Sequence, residues 1–151
     1  MIVKNSKGHI FLDFYKIDES NIYEDQYKPL THSLLIIKYD NRFLVVFDKW
    51  KNNWELPGGY IEKTETPRVC ALRELKEETN QEINDLIFKG IMKFQLRPDN
   101  RIEYGALYYG ELKSFIPFNE NKEIKNIKLW DKKEIIKIDE IDRKILDSFS
   151  K

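Results

Sequence analysis

Three glutamates near the middle of the chain have the spacing of a metal-binding helix face. Glu74, Glu77 and Glu78 stand at positions i, i+3 and i+4, so on an α-helix, at about 100° per residue, their side chains share one face. Like charges held this closely repel one another unless a cation offsets them, and carboxylate oxygens suit Mg²⁺ or Mn²⁺. A Glu/Lys-rich helix without other signals is more often a solvated face. The neighbouring residues therefore decide between the two interpretations.

A glycine loop precedes the glutamates and favours the metal site. The run Leu56-Pro57-Gly58-Gly59 lets the backbone approach a ligand closely, and a glycine carbonyl there could complete a metal shell. Arg73 can reach a nearby glutamate and hold its carboxylate in one orientation. Loop and glutamates are therefore predicted to form one site that binds a divalent cation and a diphosphate.

The glutamates lie on a segment with local signals for a helix. The Thr66 hydroxyl can cap the first turn, and Pro67 suits the first helical position, where its missing N–H costs nothing. Residues 68–79 contain neither glycine nor proline, and Asn80 can adopt the left-handed conformation that ends a helix. These signals predict a helix from about residue 67 to residue 79.

The flanking segments are typical of β-strands. They are short runs rich in β-branched and aromatic residues, separated by turn sequences at residues 39–42 and 97–100. The predicted strands are residues 11–17, 33–38, 43–47, 86–96, 101–112 and 124–130. Residues 131–136 and 140–149 are predicted to form a short and a longer helix. The order indicates an α/β fold with helices on both sides of a mixed sheet.

Size and composition limit the classes of function. The 151 residues are expected to form a single domain over residues 1–151, and 26 basic side chains balance 26 acidic ones. Such a balance gives no overall attraction to a DNA duplex or to a membrane. The lone cysteine, Cys70, excludes an internal disulfide, and the first residues lack the apolar run of a signal peptide. A cytoplasmic protein, monomeric or homodimeric, is expected.

The central segment resembles the signature of the Nudix hydrolase family, G-x5-E-x7-R-E-U-x-E-E-x-G-U, where U is a bulky aliphatic residue. Two positions depart from the signature, with Asn80 in place of the last glycine and Gln81 in place of the last aliphatic residue. Asn80 can still end the helix, whereas the aliphatic residue has a packing role. The residues in register are Gly59, Glu65, Arg73, Glu74, Leu75, Glu77 and Glu78. The resemblance is to MutT-like members and implies a Nudix-type α/β/α sandwich.

The resemblance also implies ligands for the metal. Glu77 and Glu78 would be the principal ligands of Mg²⁺ or Mn²⁺, with the Gly58 carbonyl as a backbone ligand. Glu74 would be a further ligand or the general base. With Gly59, the Gly58 backbone would also line the loop that admits the diphosphate.

Supporting roles follow from the same resemblance. Arg73 would orient Glu74, and Glu65 would support the loop. A glutamate from a late loop often serves as a metal ligand or base in this family, and Glu123 is the best candidate, with Glu120 as the alternative.

The implied reaction is hydrolysis of a diphosphate bond in a nucleotide. The favoured substrate is a nucleoside triphosphate, including oxidised forms such as 8-oxo-dGTP, cleaved to a monophosphate and pyrophosphate. ADP-ribose, a nucleotide sugar, a dinucleoside polyphosphate and the 5′ triphosphate of RNA stay open as substrates. A non-catalytic regulatory module that only binds nucleotides is a further alternative.

A few residues outside the signature bear on the substrate. An exposed ring at Trp50, or a tyrosine such as Tyr104, could stack on a nucleobase. His9 and His32 lie on or next to apolar strands, and a structural role is favoured over a catalytic one. Cys70 has no CxxC partner or neighbouring histidine and is assigned no role.

Overall fold

The computed structural model describes residues 2–150, which contain nine β-strands and two α-helices. The helices are α1 (Pro67–Thr79) and α2 (Glu140–Phe149), and two short 3₁₀ helices span Glu19–Asn21 and Asp25–Tyr27. The strands are β1 (Val3–Lys4), β2 (Ile10–Tyr15), β3 (Leu30–Tyr39), β4 (Arg42–Asp48), β5 (Asn53–Glu55), β6 (Gly58–Tyr60), β7 (Ile87–Leu96), β8 (Arg101–Glu111) and β9 (Ile124–Trp130). No helix within residues 2–150 is both long and apolar enough to cross a membrane.

The strands form one mixed sheet in the order β1-β2-β7-β8-β3-β4-β5. Strands β3 and β8 are parallel, whereas the other strand pairs in the sheet are antiparallel. Strand β4 pairs with β3 only at Lys38↔Phe43 and Tyr39↔Arg42 and then separates from it to pair with β9. The short strand β6 takes the place beside the first half of β3, where Ser33 pairs with Gly59 and Leu34 with Gly58. This arrangement sets the glycine loop against the central strand of the sheet.

The two helices cover opposite faces of the sheet, as the alternation of side chains along β3 requires. Leu35 and Ile37 pack in one buried cluster with Leu75 of α1. Ile36, between them in sequence, packs in the other cluster with Ile145 of α2. The predicted α/β/α sandwich with a mixed sheet is therefore confirmed.

Helix α1 begins and ends where its local signals predict. The Thr66 hydroxyl accepts the Val69 N–H at 3.1 Å, Pro67 opens the helix, and Asn80 ends it with φ = 65°. Gln81, which departs from the signature, is fully buried, and its side-chain amide bonds both the N–H and the carbonyl of Ile116. A polar side chain therefore replaces the expected aliphatic packing at this position.

The helix predicted at residues 131–136 is wrong. This segment is an irregular connection between β9 and α2. The Asp131 carboxylate accepts the N–H groups of Lys133 and Glu134, and Lys132 has a left-handed φ of 68°. An aspartate that bonds the backbone two and three residues ahead competes with helix formation. The segment is therefore a turn fixed by Asp131.

Candidate active site

Arg73 organises the carboxylates of the candidate site. Its Nε and Nη2 donate to the two oxygens of Glu65, each at 2.7 Å, and its Nη1 donates to Glu74 at 2.7 Å and to Glu77 at 3.1 Å. Nη2 also donates to the Tyr60 carbonyl at 3.0 Å. All five N–H groups of the guanidinium are thus used. Arg73 thus hydrogen-bonds Glu74 and also joins the loop to the helix.

Glu65 closes the loop between β6 and α1. One carboxylate oxygen accepts the Glu62 N–H at 2.9 Å, and the side chain is only 7% exposed. The hydrogen bonds from Arg73 lower the pKa of Glu65 to about 2. Glu65 is therefore ionised under ordinary conditions and locks the loop conformation.

Gly58 and Gly59 lie where a side chain would not fit. A Cβ at Gly58 would come within 2.3 Å of the Ser33 carbonyl oxygen, and a Cβ at Gly59 would come within 2.4 Å of the Glu74 carboxyl carbon. The glycines therefore bring the loop backbone directly onto a carboxylate of α1.

Both helices hold this loop by carboxylate-to-backbone hydrogen bonds. Glu78 of α1, whose side chain is nearly fully buried, accepts the Gly58 N–H at 2.8 Å. Asp142 of α2 accepts the Leu56 N–H at 2.8 Å from the other face of the sheet. The loop backbone is thus fixed on both sides.

The two inner glutamates are held in an environment that opposes their charge. Burial raises the pKa of Glu74, although the hydrogen bond from Arg73 acts in the opposite direction. Burial also raises the pKa of Glu78 well above its ordinary value, and the charges of Glu74 and Glu123 add to this effect. A bound cation would offset these negative charges.

The carboxylate oxygens of α1 suit a hard divalent cation, although in this structure they are hydrogen-bonded to groups of the protein. Among residues 2–150, no three acidic, histidine or cysteine side chains already surround a common point as metal ligands. The reason is visible in the contacts, since Glu77 bonds Arg73 and Glu78 bonds the Gly58 N–H. Glu77 is 58% exposed and can turn away from Arg73. The carboxylate and carbonyl oxygens of this face fit the chemistry of Mg²⁺ or Mn²⁺.

The late loop, residues 112–123, brings two further glutamates toward the end of α1. The Asn121 amide donates to the Glu77 carbonyl at 3.2 Å, which fixes the loop beside the helix. The exposed Glu123 carboxylate contributes to the raised pKa of both Glu74 and Glu78, so it acts on the same site. Glu120 instead forms an ion pair with Lys49 at 2.6 Å. The two candidates therefore have different surroundings.

A cavity of about 420 Å³ adjoins the glycine loop on the α2 face of the sheet. Its wall includes Gly58, Gly59 and Tyr60 of the loop and the two histidines, His9 and His32. Structural roles were expected for these histidines because they lie on or next to apolar strands, and the structure places both in the cavity wall. The alternation that places His32 and Leu34 on one face of β3 was the available signal.

The two aromatic residues proposed for base stacking lie in different environments. The Trp50 ring is 82% exposed in the turn between β4 and β5, next to the cavity residue Lys51. Tyr104 is only 8% exposed and packs edge-on against Tyr27 in the α1-side cluster, on the opposite face from the cavity. The structure therefore does not bring Tyr104 to the site.

Comparison with known proteins identifies one family. The family model of the NUDIX domain matches residues 29–149 of the chain. This range contains the glycine loop, α1 and the late loop.

Individual relatives are similar over part of their length. A Bacillus subtilis (strain 168) protein with the provisional name 8-oxo-dGTP diphosphatase YtkD is 24% identical over 106 residues, which cover 68% of this chain and 64% of that protein. The RNA pyrophosphohydrolase of Pelagibacter ubique is 32% identical over 82 residues, or 52% of this chain and 50% of that protein. The chain spans between a fifth and two thirds of the length of the curated relatives it matches.

A solved structure shares the architecture. The crystal structure of a mutant of the Bacillus subtilis pyrophosphohydrolase BsRppH aligns with a TM-score of 0.66 and 22% identity. The alignment covers 85% of this chain and 76% of that chain. This likeness concerns the fold.

Proposed function

Because the chain belongs to the Nudix family, we propose that it is a Mg²⁺-dependent pyrophosphohydrolase that cleaves a nucleoside triphosphate to a monophosphate and pyrophosphate. The observation that carries the proposal is the single guanidinium, Arg73, that holds Glu65, Glu74 and Glu77 against the glycine loop. This arrangement holds three carboxylates in fixed positions, which preorganises their oxygen atoms for a bound cation.

Glu74, Glu77, Glu78 and the Gly58 carbonyl would hold the divalent cation. Nudix hydrolases generally use such ions, and Mg²⁺ or Mn²⁺ matches these hard oxygen donors. When bound, the ion neutralises phosphate charge and makes water a better nucleophile at neutral pH.

The chain's own residues then have distinct tasks. We assign to Glu123 the role of accepting the proton of the attacking water, since its carboxylate is exposed on the late loop, which Asn121 fixes beside α1. Arg73 positions Glu74 and Glu77, and Glu65 holds the loop at its required distance from α1. Gly58 and Gly59 let the loop backbone pack directly against Ser33 and Glu74.

The names of the relatives support a 5′ triphosphate as the reacting group. One relative is named for 8-oxo-dGTP and another is named RNA pyrophosphohydrolase. Both names describe hydrolysis of a phosphate anhydride attached to a nucleoside. The second name favours a 5′-triphosphorylated RNA as the second candidate substrate.

A substrate panel with varied metals tests the proposal. The panel contains the ordinary nucleoside triphosphates, 8-oxo-dGTP, ADP-ribose, a dinucleoside polyphosphate and 5′-triphosphorylated RNA, each with Mg²⁺, Mn²⁺ or EDTA. Metal-dependent release of pyrophosphate, lost in Glu77→Gln and Glu78→Gln, is expected. Thermal stabilisation by nucleotides without turnover on any member would instead establish a non-catalytic binding module.

A further inference from the structure

His32 is held in the wall of the cavity by three neighbouring residues, Tyr60, Phe94 and Gly105. Its ring lies 5.1 Å from the Phe94 ring and 6.3 Å, edge-on, from the Tyr60 ring. On the neighbouring strand β8, a methyl group at Gly105 would come within 2.8 Å of Nε2, so the ring lies flat over this glycine. The ring has little freedom to rotate and is preorganised for contact with a ligand.

Hydrogen bonds around Thr31 determine which nitrogen of His32 carries the proton. The Thr31 hydroxyl donates to the Glu103 carboxylate at 2.6 Å, and its other acceptor in range is the Tyr104 carbonyl at 3.4 Å. Because an ionised Glu103 carboxylate can only accept, the Thr31 proton lies in the 2.6 Å contact with Glu103, and Thr31 then accepts from His32 Nδ1, which lies 3.0 Å away. His32 Nδ1 is therefore the protonated nitrogen, and Nε2 has a free lone pair.

Glu103 and the cavity environment maintain this state. Burial opposes ionisation of Glu103, but the hydrogen bonds from Thr31 and Arg101 outweigh it and lower its pKa. Burial lowers the pKa of His32 to about 4. A charged Glu103 and a neutral His32 are thus the stable forms near pH 7.

The Nε2 atom has no hydrogen-bond partner within residues 2–150. Among residues 2–150, the only fully buried side-chain nitrogen or oxygen without a partner is Asn53 Oδ1. Because His32 Nε2 also lacks a partner, it must be at least partly exposed. His32 lines the cavity and its Nε2 is not fully buried, so we infer that a ligand in the cavity can reach Nε2. An acceptor in a cavity lined by both apolar and polar side chains is a specificity element for a ligand that donates.

The position of the acceptor relates it to the proposed reaction. His32 pairs with Tyr60 across β3 and β6, directly beside the glycine loop. Apolar side chains, including Leu34 and Phe94, line the same cavity, whose volume of about 420 Å³ is sufficient for a nucleobase. A nucleotide with its diphosphate at the loop can therefore place its base at His32.

We propose that His32 is a specificity-determining residue whose Nε2 accepts a hydrogen bond from the exocyclic amino group of the substrate's base. This inference rests on the proposed hydrolase function and narrows it to amino-bearing bases. An exocyclic amino group projects farther from the base than a ring N–H, so among the donors of a base it best reaches an acceptor in the cavity wall. Bases that lack the amino group leave Nε2 unpaired and bind less well.

His9 provides a matched control within the same cavity. Its Nδ1 accepts the Arg97 N–H at 3.0 Å, so in its neutral form its Nε2 carries the proton. The two histidines therefore present opposite hydrogen-bonding groups, and His9→Phe is expected to leave discrimination between amino-bearing and amino-free bases unchanged.

The test uses binding, so it does not depend on turnover. Calorimetry compares three pairs of monophosphates that differ in one amino group: GMP and IMP, AMP and purine riboside monophosphate, CMP and its 4-deamino counterpart. The wild-type chain is expected to favour the amino member of at least one pair by about 5- to 10-fold. His32→Phe, which keeps a ring over Gly105, is expected to reduce that ratio to near one, whereas His9→Phe retains it.

A spectroscopic measurement gives a second, independent test. The ¹⁵N spectrum of the wild-type chain is expected to show His32 protonated at Nδ1, with the Nε2 resonance shifting when the favoured monophosphate binds. Thr31→Val removes the acceptor for Nδ1–H and is expected to weaken this preference and the binding ratio. A proton on Nε2, equal ratios in wild type and His32→Phe, or no binding of any monophosphate would each overturn the role of His32. Absence of hydrolysis alone would overturn the proposed activity, since binding and tautomer are measured without it.

Discussion

Arg73 and Glu65 are joined by two parallel hydrogen bonds of 2.7 Å each, and this pair connects helix α1 to the loop that precedes it. The guanidinium binds the carboxylate in a planar, bidentate geometry that an ammonium group cannot reproduce. Its remaining N–H groups hold Glu74, Glu77 and the Tyr60 carbonyl. The geometry of the whole carboxylate face thus depends on one side chain.

Arg73→Lys is therefore expected to reduce catalytic activity much more than the thermal stability of the fold. A lysine can keep one of the ion pairs but cannot hold loop and helix together, so kcat/KM should fall about 10- to 100-fold. Steady-state kinetics and thermal melts measure the two effects. Arg68→Lys is the matched control, because Arg68 also lies on α1 and forms a bidentate pair with Glu19 of the first 3₁₀ helix. Equal kinetic effects of the two substitutions would contradict the organising role of Arg73.

The lowered pKa of Glu65 predicts a specific dependence of stability on pH. Its folded-state pKa of about 2 lies below the ordinary value of 4.5, so the stabilisation is present above pH 4.5 and is lost as pH falls toward 2. Glu65→Gln removes this contribution. The difference in unfolding free energy between wild type and variant should therefore shrink between pH 4.5 and pH 2.

Urea denaturation at several pH values measures this difference. Glu62→Gln is the control, since Glu62 is 67% exposed and lies 3.7 Å from Arg73. Its effect on stability should be small throughout the range. A Glu65→Gln difference that stays constant from pH 7 to pH 2.5 would show that the Arg73 pair does not stabilise the folded state.

The parts of the fold that were predictable have local causes. Thr66, Pro67 and Asn80 determine the ends of α1 by their own backbone and side-chain chemistry, and each is visible in the sequence. The turn at residues 131–136 was not predicted because its apolar and charged residues also suit a helix. The two hydrogen bonds accepted by Asp131 decide the outcome.

The candidate site likewise has one part that the sequence predicts and one part that it does not. The spacing of Glu74, Glu77 and Glu78 is a property of one helix, so their common face follows from the sequence. The acceptor at His32 depends on Thr31 and on Glu103, which lies 72 residues away on β8. Such a non-local contact, made by strand pairing, cannot be inferred from periodicity.

The late loop offers a direct comparison of two glutamates. Glu123→Gln removes the proposed proton acceptor, so kcat should fall about 10²- to 10⁴-fold with little change in Mg²⁺ affinity. Glu120→Gln breaks the ion pair with Lys49 at the surface and should change kcat by less than about threefold. Kinetics with Mg²⁺ titration measure both parameters. A larger effect at Glu120 would assign the base to that residue.

Gln81 allows a test of the departure from the family signature. Gln81→Leu supplies the aliphatic residue of the signature, and from the signature alone the substitution should be stabilising. In this chain it removes hydrogen bonds to the Ile116 N–H and carbonyl and to the Thr79 carbonyl, at 3.0, 2.7 and 3.0 Å. The Thr79 carbonyl is buried and the two Ile116 groups are partly buried, so leaving them without these partners should cost about 1–3 kcal/mol of unfolding free energy.

The same substitution should also affect catalysis, because Ile116 belongs to the loop that carries Glu123. Loosening the loop lowers the fraction of molecules with Glu123 in place, so kcat should fall severalfold while Mg²⁺ affinity is retained. Gln26→Leu, at an exposed site where the amide bonds only Glu24, is the control and should change stability by less than about 0.5 kcal/mol. A more stable Gln81→Leu chain with unchanged kcat would mean that position 81 needs only apolar packing, as in the signature, and that the amide does not anchor the late loop.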